Sequence, residues 1–140
     1  MPGFKQYDEL PGYYALANAF VHASTTEQWG LVVNEAMASG LPVIVSNRCG
    51  CVPELVREGV NGFTFDPDDT GQLSELMLSL SKESQLPVMG NASRSIISDW
   101  GIERFGQGLS DAAEQPMGLP PKGATFLDRV LLPAVMSYRQ

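Results

Sequence analysis

Apolar and polar positions along the first hundred residues predict helices and short buried strands in alternation. Three apolar runs, at about 20–23, 42–45 and 63–65, are short and bounded by turn residues, which is typical of strands buried on both faces. Helical spacing predicts a helix that begins near residue 8 and further helices at 30–39, 53–58, 70–81, 86–100 and 102–114. Because helices alternate with buried strands, the pattern predicts an α/β fold with a parallel sheet and flanking helices.

The predicted sheet is small. A complete doubly wound domain usually has five or six strands, so we expect residues 1–115 to form an incomplete, Rossmann-like domain. Five Pro and Gly residues then interrupt the pattern within 116–123, which predicts a linker. Residues 124–140 are apolar at helical spacing and predict a C-terminal tail helix.

The charge of the chain argues against nucleic acid as a partner. Lys and Arg total 9 against 16 Asp and Glu, so the formal net charge is −7, and no basic stripe is visible that could neutralise phosphates. Charged residues make up 18% of the chain, below the roughly 25% of ordinary soluble domains. This low fraction indicates surface that another domain, a partner or a membrane would cover.

The sequence predicts a cytoplasmic protein without a metal site. No run of about 18 apolar residues is present, and the N-terminal residues lack the pattern of a secretory signal. Cys49 and Cys51 lie one residue apart, where a disulfide does not close easily, and no His or Cys cluster supplies further zinc ligands. The tail at 124–140 is expected to pack as a helix, with peripheral contact at the inner face of a membrane as the alternative.

Residues 24–43 contain the most informative chemistry. If Glu27 lies in the loop after a strand and Glu35 one turn into the next helix, both can face the edge where open α/β sheets bind ligands. Between them, Gly30, Leu31 and Val32 would offer free backbone N–H groups at a helix N-terminus, which attracts phosphate. Carboxylates repel phosphate but accept hydrogen bonds from hydroxyls. A diphosphate flanked by two polyols is a nucleotide sugar, which this segment therefore indicates as the ligand.

The same segment resembles the donor-site signature of retaining glycosyltransferases with the GT-B fold, of the glycosyltransferase family 4 type. The signature has two Glu residues separated by seven positions, and similarity to the family extends over roughly residues 3–110. The matching residues are Glu27-Gln28-Trp29-Gly30, Glu35-Ala36-Met37-Ala38-Ser39-Gly40-Leu41-Pro42-Val43, Leu10-Pro11-Gly12-Tyr13-Tyr14 and Gly59-Val60-Asn61-Gly62.

The resemblance implies a role for each matching site residue. Glu27 would contact the hydroxyls of the donor sugar near the reacting carbon and is the candidate catalytic residue. Glu35 would hold the nucleotide ribose, and the N–H groups of Gly30, Leu31 and Val32 would bind the diphosphate. The implied reaction transfers a sugar from a UDP or GDP sugar with retention, without a cofactor and without an essential metal ion.

The chain departs from the family pattern in two respects. The basic Arg/Lys pair that stabilises the leaving group lies upstream in the family, and so does the N-terminal acceptor domain. Two alternatives to a glycosyltransferase therefore stay open. The first is a non-catalytic or degenerate nucleotide-sugar-binding module. The second is an interaction domain that pairs with a separate half through the open edge of its sheet.

Several residues of this region also have simpler interpretations. Glu35 could be a solvated helix residue, and Glu27 a loop residue or helix cap. We expect His22 to be packed and hydrogen-bonded rather than catalytic. The remaining candidates are expected to be structural: Arg48 as a solvated loop residue, Cys49 and Cys51 as small buried or loop residues, Trp29 as core or cleft wall, and Trp100 in helix packing.

Overall fold

A computed structural model describes residues 3, 5–82 and 84–117 of the chain. The chain divides into two compact units, Met1–Gly101 and Ile102–Gln140. Within the described residues, the first unit contains three parallel strands with helices packed on them, which confirms the predicted α/β, Rossmann-like fold. In chain order the elements are α1 (Leu10–Leu16), β1 (Phe20–His22), α2 (Leu31–Ala38), β2 (Val43–Ser46), α3 (Val52–Leu55), β3 (Gly62–Phe65), α4 (Thr70–Ser81), α5 (Leu86–Ser98) and α6 (Ile102–Met117).

Strand β2 lies between β1 and β3, and both pairings are parallel. All four residues of β2 are buried, as expected for a β-branched strand that is covered on both faces. Strand β3 begins at Gly62, where the two backbones approach closely. A Cβ on Gly62 would stand 1.9 Å from the carbonyl oxygen of Val43, so this position in the sheet requires glycine.

The sheet separates two apolar clusters. Val43 and Val45 belong to one cluster and Ile44 to the other, because successive side chains of a strand point to opposite faces. Helix α2 covers the first face and α4 contributes to the second. Helix α5 contributes to both, with Ile96 and Ile97 on the first and Met89 on the second. The buried residues of the first cluster are Val33, Ala36, Met37, Leu41, Val43, Val45, Cys49, Cys51, Leu55 and Val56, and those of the second are Ile44, Phe65, Leu80 and Met89.

Helix α5 fixes the C-terminal end of helix α2. A Cβ on Gly90 would lie 2.1 Å from the carbonyl oxygen of Gly40, so the two backbones meet with no room for a side chain. The Arg94 guanidinium donates a hydrogen bond to the carbonyl oxygen of Ser39 at 2.9 Å. Since α2 follows β1 directly, its N-terminal end lies at the carboxyl edge of the parallel strands.

Helix α4 begins and ends where the sequence predicts, at Thr70 and Ser81. The Asp69 carboxylate accepts a hydrogen bond from the backbone N–H of Gln72 at 2.8 Å, which is the usual arrangement for an acidic N-cap. Local chemistry alone therefore sets the start of this helix.

The prediction for helix α3 was wrong at both ends. The helix covers Val52–Leu55 instead of 53–58, because the chain is already extended at Val56. The buried side chain of Asn61 explains the early end. It accepts a hydrogen bond from the N–H of Arg57 at 2.7 Å and donates one to the carbonyl oxygen of Leu55 at 3.0 Å, and both backbone groups would otherwise be available to a longer helix.

The second unit begins with helix α6, which extends to Met117, three residues beyond the predicted end at 114. Positions 116 and 117 of the predicted linker are thus helical, which corrects that part of the prediction. The rest of the linker and the predicted tail helix at 124–140 lie outside the described residues. The domain boundary at residue 115 stays a prediction.

Candidate functional site

The first turn of helix α2 contains three of the predicted site residues. Gly30 is buried just before the helix, whereas Leu31 and Val32 are 68% and 38% exposed. Among the described residues, none accepts a hydrogen bond from the backbone N–H groups of these three positions. Because free N–H groups and the positive end of the helix dipole attract anions, this turn can bind a phosphate.

Gly30 adopts a backbone conformation that other residues rarely take. Its φ of +100° and ψ of +64° lie in the left-handed region, and this turn leads directly into α2. A Cβ at this position would contact the side chains of Glu27, Val33 and Cys51 at 3.4 to 3.7 Å. The structure therefore brings Glu27 and Gly30 together, with the Glu27 side chain beside the N-terminal end of the helix.

The loop that carries Glu27 is held by the loop that follows β2. The N–H of Gly50 donates to the carbonyl oxygen of Glu27 at 3.1 Å, and the N–H of Cys51 donates to that of Trp29 at 3.2 Å. A Cβ on Gly50 would lie 1.9 Å from the carbonyl oxygen of Gln28. Gly50 was not predicted as a site residue, since its sequence signal is no more than a glycine between two cysteines.

Trp29 connects this loop to helix α2 and to the core. Its indole N–H donates to the side-chain oxygen of Asn34 at 3.0 Å, and its ring centroid lies 5.2 Å from that of Trp100. Its backbone N–H faces the Glu27 carboxylate, with 3.4 Å between N and Oε1. Both tryptophans pack against the first apolar cluster, which confirms the structural roles predicted for them.

Glu35 lies in the second turn of α2 and is half-buried. The hydroxyl of Tyr14, on helix α1, donates a hydrogen bond to Glu35 Oε2 at 2.9 Å. Burial and the neighbouring Glu35 carboxylate raise the pKa of Tyr14 to about 12, so this hydroxyl keeps its proton at neutral pH. In the sequence, Tyr14 is part of a family motif, and no local pattern links it to Glu35.

A shallow cleft of about 230 Å³ lies between helices α1 and α2 and borders the hydrogen-bonded pair of Tyr14 and Glu35. Its walls are mostly apolar, and Glu35 is one of the residues that line it. The lining residues are Tyr7, Leu10, Pro11, Tyr14, Glu35, Ala38 and Ser39.

Two other polar candidates lie outside this arrangement. The Arg48 guanidinium forms ion pairs with Asp66, at 3.3 Å, and with Asp68, so its charge is neutralised within the loops after β2 and β3. His22 packs as expected, with its ring stacked on Phe20. The prediction that it is hydrogen-bonded was wrong for Nε2, which is buried without a partner in the described part of the chain.

Cys49 and Cys51 are buried free thiols, as predicted. Burial raises the pKa of both, that of Cys51 to about 11. Both side chains belong to the first apolar cluster, so they pack as small buried residues beneath the loop of Glu27.

None of the helices in residues 3–117 that the structure describes has both the length and the apolar character needed to cross a membrane. The same residues contain no group of three or more His, Cys, Asp and Glu side chains arranged to hold a metal ion.

Comparison with known proteins places this geometry in a family. The family model for glycosyl transferases group 1 matches residues 1–95. A sulfoquinovosyl transferase of Arabidopsis thaliana is 40% identical over 96 residues, which are 66% of this chain and 19% of the plant protein. The O-antigen chain mannosyltransferase B of Escherichia coli is 39% identical over 83 residues, or 59% of this chain and 21% of the bacterial protein. The chain thus spans about a fifth of the length of these two relatives.

Solved structures agree with this assignment. Anabaena HepE in complex with UDP aligns with a TM-score of 0.69 and 26% identity, over 79% of this chain and 30% of HepE. The C-terminal domain of a glycosyl transferase group 1 family protein from Francisella tularensis aligns with a TM-score of 0.65 and 26% identity, over 73% of this chain and 53% of that one. This chain therefore belongs to the glycosyl transferases group 1 family, and it has the fold of part of the C-terminal domain of a GT-B glycosyltransferase.

Proposed function

We propose that this chain binds the nucleotide-sugar donor of a retaining GT-B glycosyltransferase of the family 4 type. The observation that carries the proposal is the first turn of helix α2, where the N–H groups of Gly30, Leu31 and Val32 have no acceptor among the described residues. The similarity to HepE, whose crystal structures contain UDP and UDP-glucose, supports a nucleoside diphosphate as the ligand.

The diphosphate would bind to the N–H groups of this turn, which explains how a chain with a net charge of −7 can bind an anion. Two carboxylates flank the turn and would repel phosphate, so they are better suited to hydroxyl groups. Glu27 lies at the N-terminal end of the helix and would contact the donor sugar. Glu35 lies one turn further along the helix and would contact the ribose.

In the proposed reaction, the bond between the anomeric carbon of the sugar and the diphosphate oxygen breaks. A bond to an acceptor oxygen forms on the same face of the sugar ring, and the proton of the acceptor hydroxyl passes to the diphosphate. The α2 N–H groups would stabilise the charge on the leaving diphosphate without a metal ion. An N-terminal acceptor domain or a separate half would supply the acceptor and complete the transfer.

Calorimetric titration tests the binding step. The 140-residue chain is titrated with UDP, GDP and UDP-glucose, alongside Glu35→Ala and the control Glu75→Ala, which removes an exposed carboxylate on α4. We expect the wild type to bind a nucleotide. Glu35→Ala should weaken binding at least about tenfold, the usual effect of losing a hydrogen bond to a charged group, while Glu75→Ala should bind like the wild type.

Two results would contradict the proposal. One is a wild-type chain that is folded by circular dichroism and binds none of the three ligands. The other is an equal loss of affinity in Glu35→Ala and Glu75→Ala, which would show that the effect is not specific to the position of Glu35 beside the start of α2.

A further inference from the structure

The hydrogen bond between Tyr14 and Glu35 joins two helices that are separated by β1 in the chain. Tyr14 is held in place from its other side. Its ring packs against the first apolar cluster and makes an edge-on contact with Phe20, at 6.1 Å between ring centroids and an interplanar angle of 61°. The position of the hydroxyl is therefore determined by the core of the domain.

The hydrogen bond from Tyr14 uses only one of the two oxygens of the Glu35 carboxylate, so the carboxylate can accept further hydrogen bonds. Glu35 Oε2 accepts from Tyr14 at 2.9 Å, and no other described residue donates to Oε1. A glutamate side chain on a helix has several freely rotating bonds, and holding one of its oxygens removes much of that freedom. The other oxygen is then restricted to fewer orientations, which favours the binding of a partner of fixed shape.

We propose that Tyr14 is a positioning residue of the donor site, whose hydroxyl holds the Glu35 carboxylate in the orientation that accepts hydrogen bonds from the ribose diol of a nucleoside diphosphate. The inference rests on the proposed function, in which the diphosphate binds at the start of α2. Glu35 lies four residues after Leu31, about 6 Å along the helix at 1.5 Å per residue. The cleft of about 230 Å³ is lined by both Tyr14 and Glu35, so there is open space next to this part of the helix.

The test compares a ribonucleotide with its 2′-deoxy analogue. Whichever of UDP and GDP the wild type binds is titrated, with its 2′-deoxy form, into the wild type, Tyr14→Phe and the matched control Tyr13→Phe. The control removes a hydroxyl from the adjacent residue of α1, which has no hydrogen bond to Glu35. The measured quantity is the preference for the ribonucleotide, the ratio of the two dissociation constants.

We expect Tyr14→Phe to reduce this preference about fivefold, less than the loss of a whole hydrogen bond to a charged group, because the carboxylate remains but is no longer held. Tyr13→Phe should leave the preference unchanged. A purely structural role for Tyr14 would weaken both ligands equally and leave the ratio as it is. Glu35→Gln gives a second measure of the same ratio, which should fall there too. Adding Tyr14→Phe to Glu35→Gln should cause little further loss, because the two side chains act as a unit.

The outcomes separate this inference from the function on which it rests. If the wild type binds no nucleotide, both fail together. If the wild type binds and discriminates between the two nucleotides, but Tyr14→Phe discriminates equally well, the role of Tyr14 is refuted and the proposed function stands. An unchanged ratio in Glu35→Gln would refute the contact between Glu35 and the ribose.

Discussion

The substitution Gly50→Ala tests the contact between the two loops that support the candidate site. The Cβ of alanine would lie 1.9 Å from the carbonyl oxygen of Gln28, whereas real Cβ atoms stay beyond 3.0 Å from such neighbours. The loops must therefore separate by about 1 Å. The substitution causes no backbone strain at Gly50 itself, because the φ of this residue lies outside the left-handed region.

Two hydrogen bonds cross the same contact and set the magnitude of the effect. They run from the N–H of Gly50 to Glu27 at 3.1 Å and from the N–H of Cys51 to Trp29 at 3.2 Å, so a separation of about 1 Å breaks both. At about 1 kcal/mol each, their loss lowers the free energy of unfolding by about 2 kcal/mol. Glu27 moves with its loop, so nucleotide affinity should fall as well.

Urea unfolding followed by tryptophan fluorescence measures this loss, because Trp29 and Trp100 are in contact inside the first unit. Gly12→Ala is the control. A Cβ there meets no atom within 4 Å, and alanine in helix α1 should stabilise the protein by up to about 1 kcal/mol. If Gly50→Ala unfolds within about 0.5 kcal/mol of the wild type, the range of an ordinary surface substitution, the two loops do not hold each other through this contact.

Three further predictions concern single groups. Asp69→Ala should cost about 1 kcal/mol in urea unfolding because helix α4 loses its N-cap; an unchanged midpoint would contradict this. The pKa of Tyr14 is raised from 10 to about 12 in the folded chain. Its protonated hydroxyl therefore contributes its full share to the free energy of unfolding below pH 10, and this contribution is lost as the pH rises to 12. Unfolding midpoints across this range should fall more steeply for the wild type than for Tyr14→Phe, and parallel curves would refute the assignment. Because burial raises the pKa of Cys51 to about 11, iodoacetamide at neutral pH should label it only after denaturation; rapid labelling of the folded chain would show that the thiol is accessible.

Elements with strong local signals were predicted well. Helix α4 has an acidic N-cap immediately before it, and strand β2 contains a run of β-branched residues, which is typical of a strand buried on both faces. The end of helix α3 was mispredicted because the side chain responsible, Asn61, comes six residues after the backbone group to which it donates. The pattern of apolar positions within the helix itself does not include Asn61, so it does not indicate where the helix ends.

In the candidate site, too, the features with a local sequence signal were predicted and those that depend on distant residues were not. The segment around Glu27, Gly30 and Glu35 predicted a helix N-terminus with a carboxylate on either side, and the structure has that helix start, with Gly30 in a left-handed conformation just before it. Their roles in binding stay predictions. The pairing of Arg48 with Asp66 and Asp68 agrees with a structural role for that residue, although its partners could not be named in advance.

The sequence by itself determined the order of the helices and strands, the family, and the motif around the first turn of α2. These depend on neighbouring residues and on short spacings, which can be read from the sequence without the fold. Only the tertiary structure decided that Tyr14 donates to Glu35 and that Gly50 lies against Gln28. Those partners are 21 and 22 positions apart. Tyr14 and Glu35 meet only when helices α1 and α2 lie side by side, and Gly50 meets Gln28 only when β1 and β2 pair and bring their following loops together.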